Sequence, residues 1–460
     1  MTSEWTLEAL GQIVTGKTPP KSIKNAYSDS GVPFVTPKDM DGRKWTVTTE
    51  RSLSHEGVRS VQKSVVPAGS VAVSCIGSDM GKAVRIPVDS VTNQQINTLI
   101  PDTEKCDPDY LYYLLSTMQQ DLKDIAGGSA TPILNKGHFG KVRVRLPAIW
   151  YQKQAAKILS ALDDKIQVNH QINQTLEQMA QAIFKSWFVD FEPVKAKIAT
   201  LEAGGSEEDA LLAAMQAISG KSEAELARLQ AEQPEQYAEL RATAGLFPAA
   251  MQDSELGEIP EGWECMALDQ IAKYQNGLAL QKFRPENEDD YLPVVKIAQL
   301  KKGYADHDEK ASPDIKPDCI IDNGDVVFSW SGSLMVDTWC GGKAALNQHL
   351  FKVTSESYPK WLYFHFTRHH LEEFQRIAAD KAVTMGHIKR EHLKRALCAI
   401  PNKTAIENAG KILERVLSKQ IELRLEKITL SELRDTLLPK LLSGELVLDA
   451  QLEEKGVVNV

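Results

Sequence analysis

The chain is written twice. Trp5, Ala9, Leu10, Gln12 and Ile13 recur as Trp263, Ala267, Leu268, Gln270 and Ile271, each displaced by 258 positions. Val65 to Ser74 (VVPAGSVAVS) returns as Ile320 to Ser329 (IIDNGDVVFS), and Asn93-Gln94 returns as Asn347-Gln348. Tyr110-Leu-Tyr-Tyr is answered by Trp361-Leu-Tyr-Phe, Lys157-Ile-Leu by Lys411-Ile-Leu, and Leu176, Met179, Ile183 and Phe184 by Leu430, Leu433, Leu437 and Leu438. A period this long lies outside the solenoid range, so it predicts a duplicated domain with pseudo-twofold symmetry. Each copy reads as a globular segment followed by a long helix.

Within residues 1–148, short apolar runs (Val32 to Val35, Val71 to Ile76, Ile96 to Ile100, Val142 to Leu146) alternate with Gly, Pro, Ser and Asn punctuation and one helical stretch, Tyr110 to Ile125. That pattern predicts an α+β domain. From Tyr151 to about Asp190 there is neither Pro nor Gly, and Ile158, Leu162, Ile166, Ile172, Leu176, Met179, Ile183 and Trp187 form an apolar seam interrupted by Lys165 and Asn169. One helix of roughly 60 Å is expected. The expected layout is a first globular domain (1–148), a first long helix (149–194), an acidic insert and linker (195–262), a second domain (263–401), a second long helix (402–446) and a tail (447–460). For the insert, short helices and a partly disordered loop both fit its Ala, Glu and Gln content. The two long helices are expected to pair antiparallel as a coiled coil.

Net charge narrows the function. The chain carries −9, but residues 199–262 hold 13 acidic and 3 basic side chains, so the rest sums to +1. Such a chain lacks the broad basic field of a strong stand-alone DNA binder. Six cysteines without a CxxC pair exclude a zinc ribbon and argue for reduced thiols. His365 and His369 lack the glutamate of HExxH, and no metal site is expected. Met1 to Gly11 carries Glu4 and Glu8 where a signal peptide would be apolar, and no membrane-length apolar run follows, which predicts a cytoplasmic protein. Gly11 to Thr18 matches GxxxxGK[ST], yet Pro19-Pro20 follows at once where a P-loop would open a helix. Asp107-Pro-Asp-Tyr110 is close to an amino-methyltransferase motif, but it lacks the second proline and reads more simply as a helix N-terminus. No catalytic constellation emerges.

What remains are polar and basic clusters at matching places in the two copies. In the first, Ser74, Ser78, Lys82 and Arg85 precede Thr131, Lys136 and His138, with Lys141, Arg143 and Arg145 beyond. In the second, Ser329, Ser331, Ser333 and Lys343 precede Thr384, His387, Lys389 and Arg390, with Lys394 and Arg395 beyond. Lys38, Arg43 and Lys44, matched by Lys296, Gln299, Lys301 and Lys302, form another pair of clusters. Ser, Thr and Gln can address bases or phosphates, and Lys or Arg can neutralise phosphates, so these residues are the candidate DNA contacts. A solvated face is the plain alternative. Ile183, Phe184, Trp187 and Phe188, with Leu437, Leu438 and Leu441, offer apolar helix ends that could seat another subunit.

LEQMAQAIFKSWFVDFEPV (176 to 194), DSELGEIPEGW (253 to 263) and LRDTLLPKLLSGEL (433 to 446), together with TGKTP (15 to 19) and NQQI (93 to 96), resemble the specificity subunit of type I restriction-modification systems. The resemblance spans nearly the whole chain and disposes of the P-loop. It implies two target recognition domains, each reading half of an interrupted, asymmetric double-stranded DNA site, with the helices as a spacer. It further implies two modification subunits that use S-adenosylmethionine to methylate adenine, and restriction subunits that use ATP and Mg. Cofactors then belong to the partners, and this chain is non-catalytic. A coiled-coil scaffold carrying two protein-binding modules is the alternative from another class.

Overall fold

The computed structural model describes residues 2–127, 133–287, 289–380 and 386–448. They divide into one unit of Met1–Val168 with Ile428–Val460 and another of Asn169–Lys427. In the first unit, Ser3–Thr6 pairs antiparallel with Arg143–Leu146. A four-stranded antiparallel sheet runs Gly11–Thr15, Ile96–Pro101, Val71–Ser74, Ala83–Arg85. A five-stranded sheet runs Tyr27–Ser28, Ser52–Leu53, Val32–Val35, Ser90–Thr92, Val65–Val66, with Phe34 parallel to Val91. The second unit repeats this order. Glu264–Ala267 pairs with Leu397–Ile400, the four-stranded sheet runs Lys273–Asn276, Leu350–Thr354, Val326–Ser329, Met335–Thr338, and the mixed sheet runs Lys310–Ala311, Leu292–Val295, Ala344–Leu346, Ile320–Ile321.

The pairing corrects the offset of the opening repeat. Leu7 N donates to Val142 O in one unit and Leu268 N to Ala396 O in the other, while Gly16 N meets Ile96 O as Gly277 N meets Leu350 O. Structural equivalence at the start is therefore a shift of 261, three residues beyond that of the Trp5/Trp263 echo, and Trp263 has no counterpart aromatic. Gly16 and Gly277 are glycines because a Cβ would lie 2.0 Å from Asn93 O in one unit and 2.1 Å from Leu346 O in the other. The GxxxxGKT segment is thus mostly strand, Gly11–Thr15, ending in a close backbone crossing. Strand also occupies Ser3–Thr6.

The helical stretch expected over Tyr110 to Ile125 is two helices, Pro108–Thr117 and Gln119–Ala126. Asp107 caps the first, accepting from Asp109 N (3.0 Å) and Tyr110 N (2.9 Å). Its counterpart, Lys360–His369, buries Trp361, Leu362 and Phe366, and His365 stacks on Phe184. The insert is helical: Glu192–Glu202, Glu207–Ser219, Glu223–Glu232 and Pro234–Gly245, around Ala214, Met215, Leu226 and Ala244. Ser206 with Asp209 and Ser222 with Glu225 form capping boxes that begin two of these helices. A hairpin, Met251–Ser254 with Gly257–Pro260, leads onward.

The long helices are Ile149–Phe188 and Lys403–Ser443. Inside the first unit Tyr151 Oη donates to Leu446 O (2.9 Å) and Arg434 pairs with Asp163 (2.8 Å), so the two helical segments there run antiparallel. Within the second unit, Asn169 is buried and donates to Glu426 (2.9 Å), the polar break in the seam. The phase of that seam differs from expectation. Ala155, Leu159, Asn169, Ala180, Phe184 and Trp187 face inward, whereas Ile158, Ile172 and Met179 are exposed.

The aromatic helix end, expected to seat another subunit, is packed as core. Phe184, Trp187 and Phe188 are nearly inaccessible because Phe247, Trp263, Trp361 and Phe366 cover them. Ile183 packs on the same core. Leu441 is fully buried in the first unit, and Leu437 and Leu438 pack beside it. Apolar burial within each unit already uses these side chains, with Ile183, Leu437 and Leu438 half-buried. Trp187→Ala is expected to cost about 3–5 kcal/mol, as large-to-small core changes do. A urea titration checks this: an unchanged midpoint would return Trp187 to a surface role.

Candidate nucleic-acid interface

Three backbone segments are laced together at one end of each four-stranded sheet. In the first unit, Cys75 N donates to Gln95 O (2.7 Å) and Leu134 N to Cys75 O (2.9 Å), while Ile76 bridges Ile133. Asn97 Nδ2 donates to Leu134 O (3.1 Å) and tightens the junction. In the second unit, Trp330 N meets His349 O (3.4 Å), Ile388 N meets Trp330 O (3.0 Å), and Ser331 bridges His387. Both hairpins turn on a left-handed glycine, Gly77 at φ 69° and Gly332 at φ 64°. The hairpin tip, the Asn-Gln turn and the strand entering a short basic helix therefore form one edge in each copy.

This lacing gathers several of the expected residues. Ser78, Lys136 and His138 are exposed in the first unit, with Lys82 half-exposed and paired with Asp79 (2.7 Å). Ser333, His387, Lys389 and Arg390 are exposed in the second; Arg390 also reaches Tyr274 O (3.3 Å) and lies 5.8 Å from the Phe351 ring centre. Ser331 is buried and bonded to His349 Nδ1 (3.0 Å). Thr131 and Thr384, with Lys381, lie outside the described residues. The expectation omitted residues on the same edge: Thr18, bonded to Gln94, and the adjacent exposed Lys17 in one copy, and Trp330, whose Nε1 donates to Gln348 O (3.2 Å), in the other. The repeated Asn-Gln dipeptide was the signal that marked this place.

Other expected contacts are placed elsewhere. Ser74 and Ser329 are fully buried strand ends. Lys44 and Arg85 are buried, each 3.1 Å from Asp109, with Lys44 also donating to Ser160 Oγ (2.7 Å) and both cations lying over the Trp45 ring. Burial drives the Arg85 pKa down, and Asp109 opposes that shift. These two cations hold the domain together and are not free for phosphate. By contrast Arg43 with Asp41 (2.6 Å), Lys296 with Glu309 and Lys302 with Asp306 (3.2 Å) are exposed pairs. Gln299 also donates to Asp306 (2.8 Å). Exposed pairs contribute about 0–1 kcal/mol, so a phosphate can replace the carboxylate cheaply. Lys38, Lys301 and Lys343 are exposed.

Among the described residues, no group of His, Cys, Asp and Glu is arranged to hold a metal ion, and no helix is long and apolar enough to cross a membrane. Two copies of one α+β domain, each presenting a laced polar edge and each followed by a forty-residue-scale helix, define a duplicated recognition protein. Residues 2–178 and 260–430 match the type I restriction modification DNA specificity domain, and the chain belongs to that family. It is 28% identical to the type I restriction enzyme HindI specificity subunit of Haemophilus influenzae, over 96% of this chain and 100% of that one. It is 25% identical to the MjaIX specificity subunit of Methanocaldococcus jannaschii, over 96% of this chain and 92% of that one. The crystal structure of a type I restriction-modification S subunit from M. genitalium shares the fold, with a TM-score of 0.53 at 13% identity over 96% of both chains.

The buried pair separates structural cations from binding ones. Lys44→Ala should lower stability by about 1–3 kcal/mol, since it strips a partner from a half-buried carboxylate that keeps Arg85. Lys38→Ala should leave the unfolding midpoint within about 0.5 kcal/mol. Should Lys44→Ala unfold like the parent, the buried triad is not structural.

Proposed function

We propose that this chain is the DNA-recognition subunit of a type I restriction-modification complex, with each unit reading one half of an interrupted asymmetric site. The observation that carries this reading is the duplicated edge: the same lacing holds Ser78, Lys136 and His138 in one unit and Ser333, His387 and Lys389 in the other, on different side chains. Different side chains on equivalent scaffolds suit two different half-sites. Partner subunits bring the chemistry: modification subunits carry S-adenosylmethionine to adenine, and restriction subunits consume ATP with Mg. The chain's modest charge fits a protein that gains DNA affinity in the assembly. Methylome sequencing of cells carrying the whole system tests the reading; methylation of a continuous, uninterrupted target would overturn it.

The exposed basic helix start is the sharpest local test. Neutralising Lys389 and Arg390 together should weaken DNA binding by the assembled complex, flattening the log–log salt dependence by about 0.9 per lost phosphate contact. An unchanged affinity and slope would leave this cluster as a solvated face.

The long helices are proposed to set the interval between half-sites. Seven residues inserted into each helix, near Gln174 and Ile428, keep the heptad phase and add about 10 Å. That corresponds to roughly three base pairs at 3.4 Å each. The expected methylome shows the same two half-sites with a longer undefined spacer. A folded, active variant with altered half-site letters and the original interval would overturn this role.

A further inference from the structure

In the first unit the Lys44 ammonium fills the junction between the helix Pro108–Thr117 and the long helix, held by Asp109 and Ser160. The same junction in the second unit is open. By the repeat, Asp109 corresponds to Lys360, Tyr110 to Trp361, Ala156 to Gly410 and Ser160 to Glu414. A cavity of about 900 Å³ lies there, walled by Glu264, Tyr358, Lys360, Trp361, Gly410 and Glu414 among others. The stretch that would bring a second Lys44 lies between the helix Ile297–Lys302 and the strand Lys310–Ala311. There Lys302 pairs with Asp306, and Tyr304 is exposed.

Two polar atoms on the cavity wall are buried without a hydrogen-bond partner: Trp361 Nε1, on a side chain that is 0% exposed, and Glu414 Oε2. The nearby lysines do not neutralise that carboxylate. Lys360 Nζ lies beside Gly324, 3.4 Å from where a side chain there would begin, and Lys403 is exposed near Glu407. Gly410 sits inside a long helix, where glycine is disfavoured, and a methyl group on it would stand 3.1 Å from Trp361 Nε1. The missing methyl spares the indole N–H a close contact and leaves it without a partner. An unpartnered donor and an unpartnered carboxylate oxygen on the wall of one cavity call for a group that carries both a cation and an acceptor.

We infer that this cavity receives a lysine or arginine side chain of a partner protein, its cation pairing with Glu414 and a neighbouring backbone carbonyl accepting from Trp361 Nε1–H. The partner supplies in trans what Lys44 supplies in cis in the first unit. The inference rests on the chain acting within a modification assembly.

The test uses the full chain labelled with 15N at its indoles, the Trp361 signal being assigned by Trp361→Phe. Nα-acetyl-lysine methylamide and its arginine analogue should shift that signal saturably, the norleucine analogue should not, and Glu414→Gln should abolish the response. No saturable shift with either cation overturns the site, and a response to spermidine alone overturns the protein-segment assignment. With the purified methyltransferase subunit, Glu414→Gln should weaken assembly about ten-fold while leaving the thermal midpoint unlowered; unchanged assembly overturns the inference. Failure of the wild-type chain to assemble or to select DNA would instead sink the functional reading, and the indole titration would still decide the site.

Discussion

Each unit is closed by one aromatic side chain wedged between a short helix and the long helices. In the first unit Tyr110 does this and donates its hydroxyl to Leu442 O (3.0 Å), one of the carbonyls that a helix end leaves without an internal partner. In the second, Trp361 is wholly buried with its ring centre 5.6 Å from that of Phe188. The sheets, the hairpin tips and the basic edges inherit their placement from this closure, because the short helix that carries each aromatic also packs on the sheet. Trp263, without a counterpart, adds a further ring to the second core.

The duplication preserves the frame and lets the electrostatics diverge. Buried cations in the first unit serve the fold through Asp109, and Tyr113, Asp163 and Arg434 continue the polar chain into the helices. The second unit spends its buried charge differently, tying Arg424 to Asp337 and Arg368 to Glu177. On the laced edge Lys82 has a carboxylate neighbour, Asp79, that holds it weakly, and this suits a surface that must exchange one anion for another. At the lacing, Cys75 stands where Trp330 does and Ile133 where His387 does, on backbone held by main-chain bonds, so side chains there can change without moving the scaffold.

Much of the frame was legible in the sequence. Two copies, α+β content and two long helices follow from repeats, turn residues and apolar periodicity, with Pro and Gly absent from the first helix, and the Asp107 cap was readable from its acid and proline. Phase was harder to read. Ile158, Ile172 and Met179 share the period of the seam but not its face, because Ala155, Ala180 and Asn169 turn inward beside larger neighbours. The opening repeat misled by three residues because a Trp, a Leu and an Ile reappear at the right spacing in a register that strand pairing rejects. The insert's Ala, Glu and Gln content fits short helices and a loop alike, and the capping boxes Ser206 to Asp209 and Ser222 to Glu225 are the local features that favour helices. For the site, matched positions found the regions. Whether a lysine points to water or to a buried aspartate depends on tertiary packing, and nothing local distinguishes Lys44 from Lys38.

The first unit is assembled from both ends of the chain, Met1–Val168 and Ile428–Val460, and its core includes Leu441 from the second long helix. During synthesis the opening 168 residues therefore emerge without the segment that completes them. At about 5–20 residues per second, the intervening 259 residues occupy the ribosome for roughly 13–50 seconds. Through that interval Tyr110, Leu159 and their neighbours lack their final cover, whereas Asn169–Lys427 is contiguous and can close on itself as it appears. Order of translation and order of maturation are thus reversed in this molecule: the part made first is finished last, and its unfinished face is a claim on chaperones for as long as the ribosome is still at work.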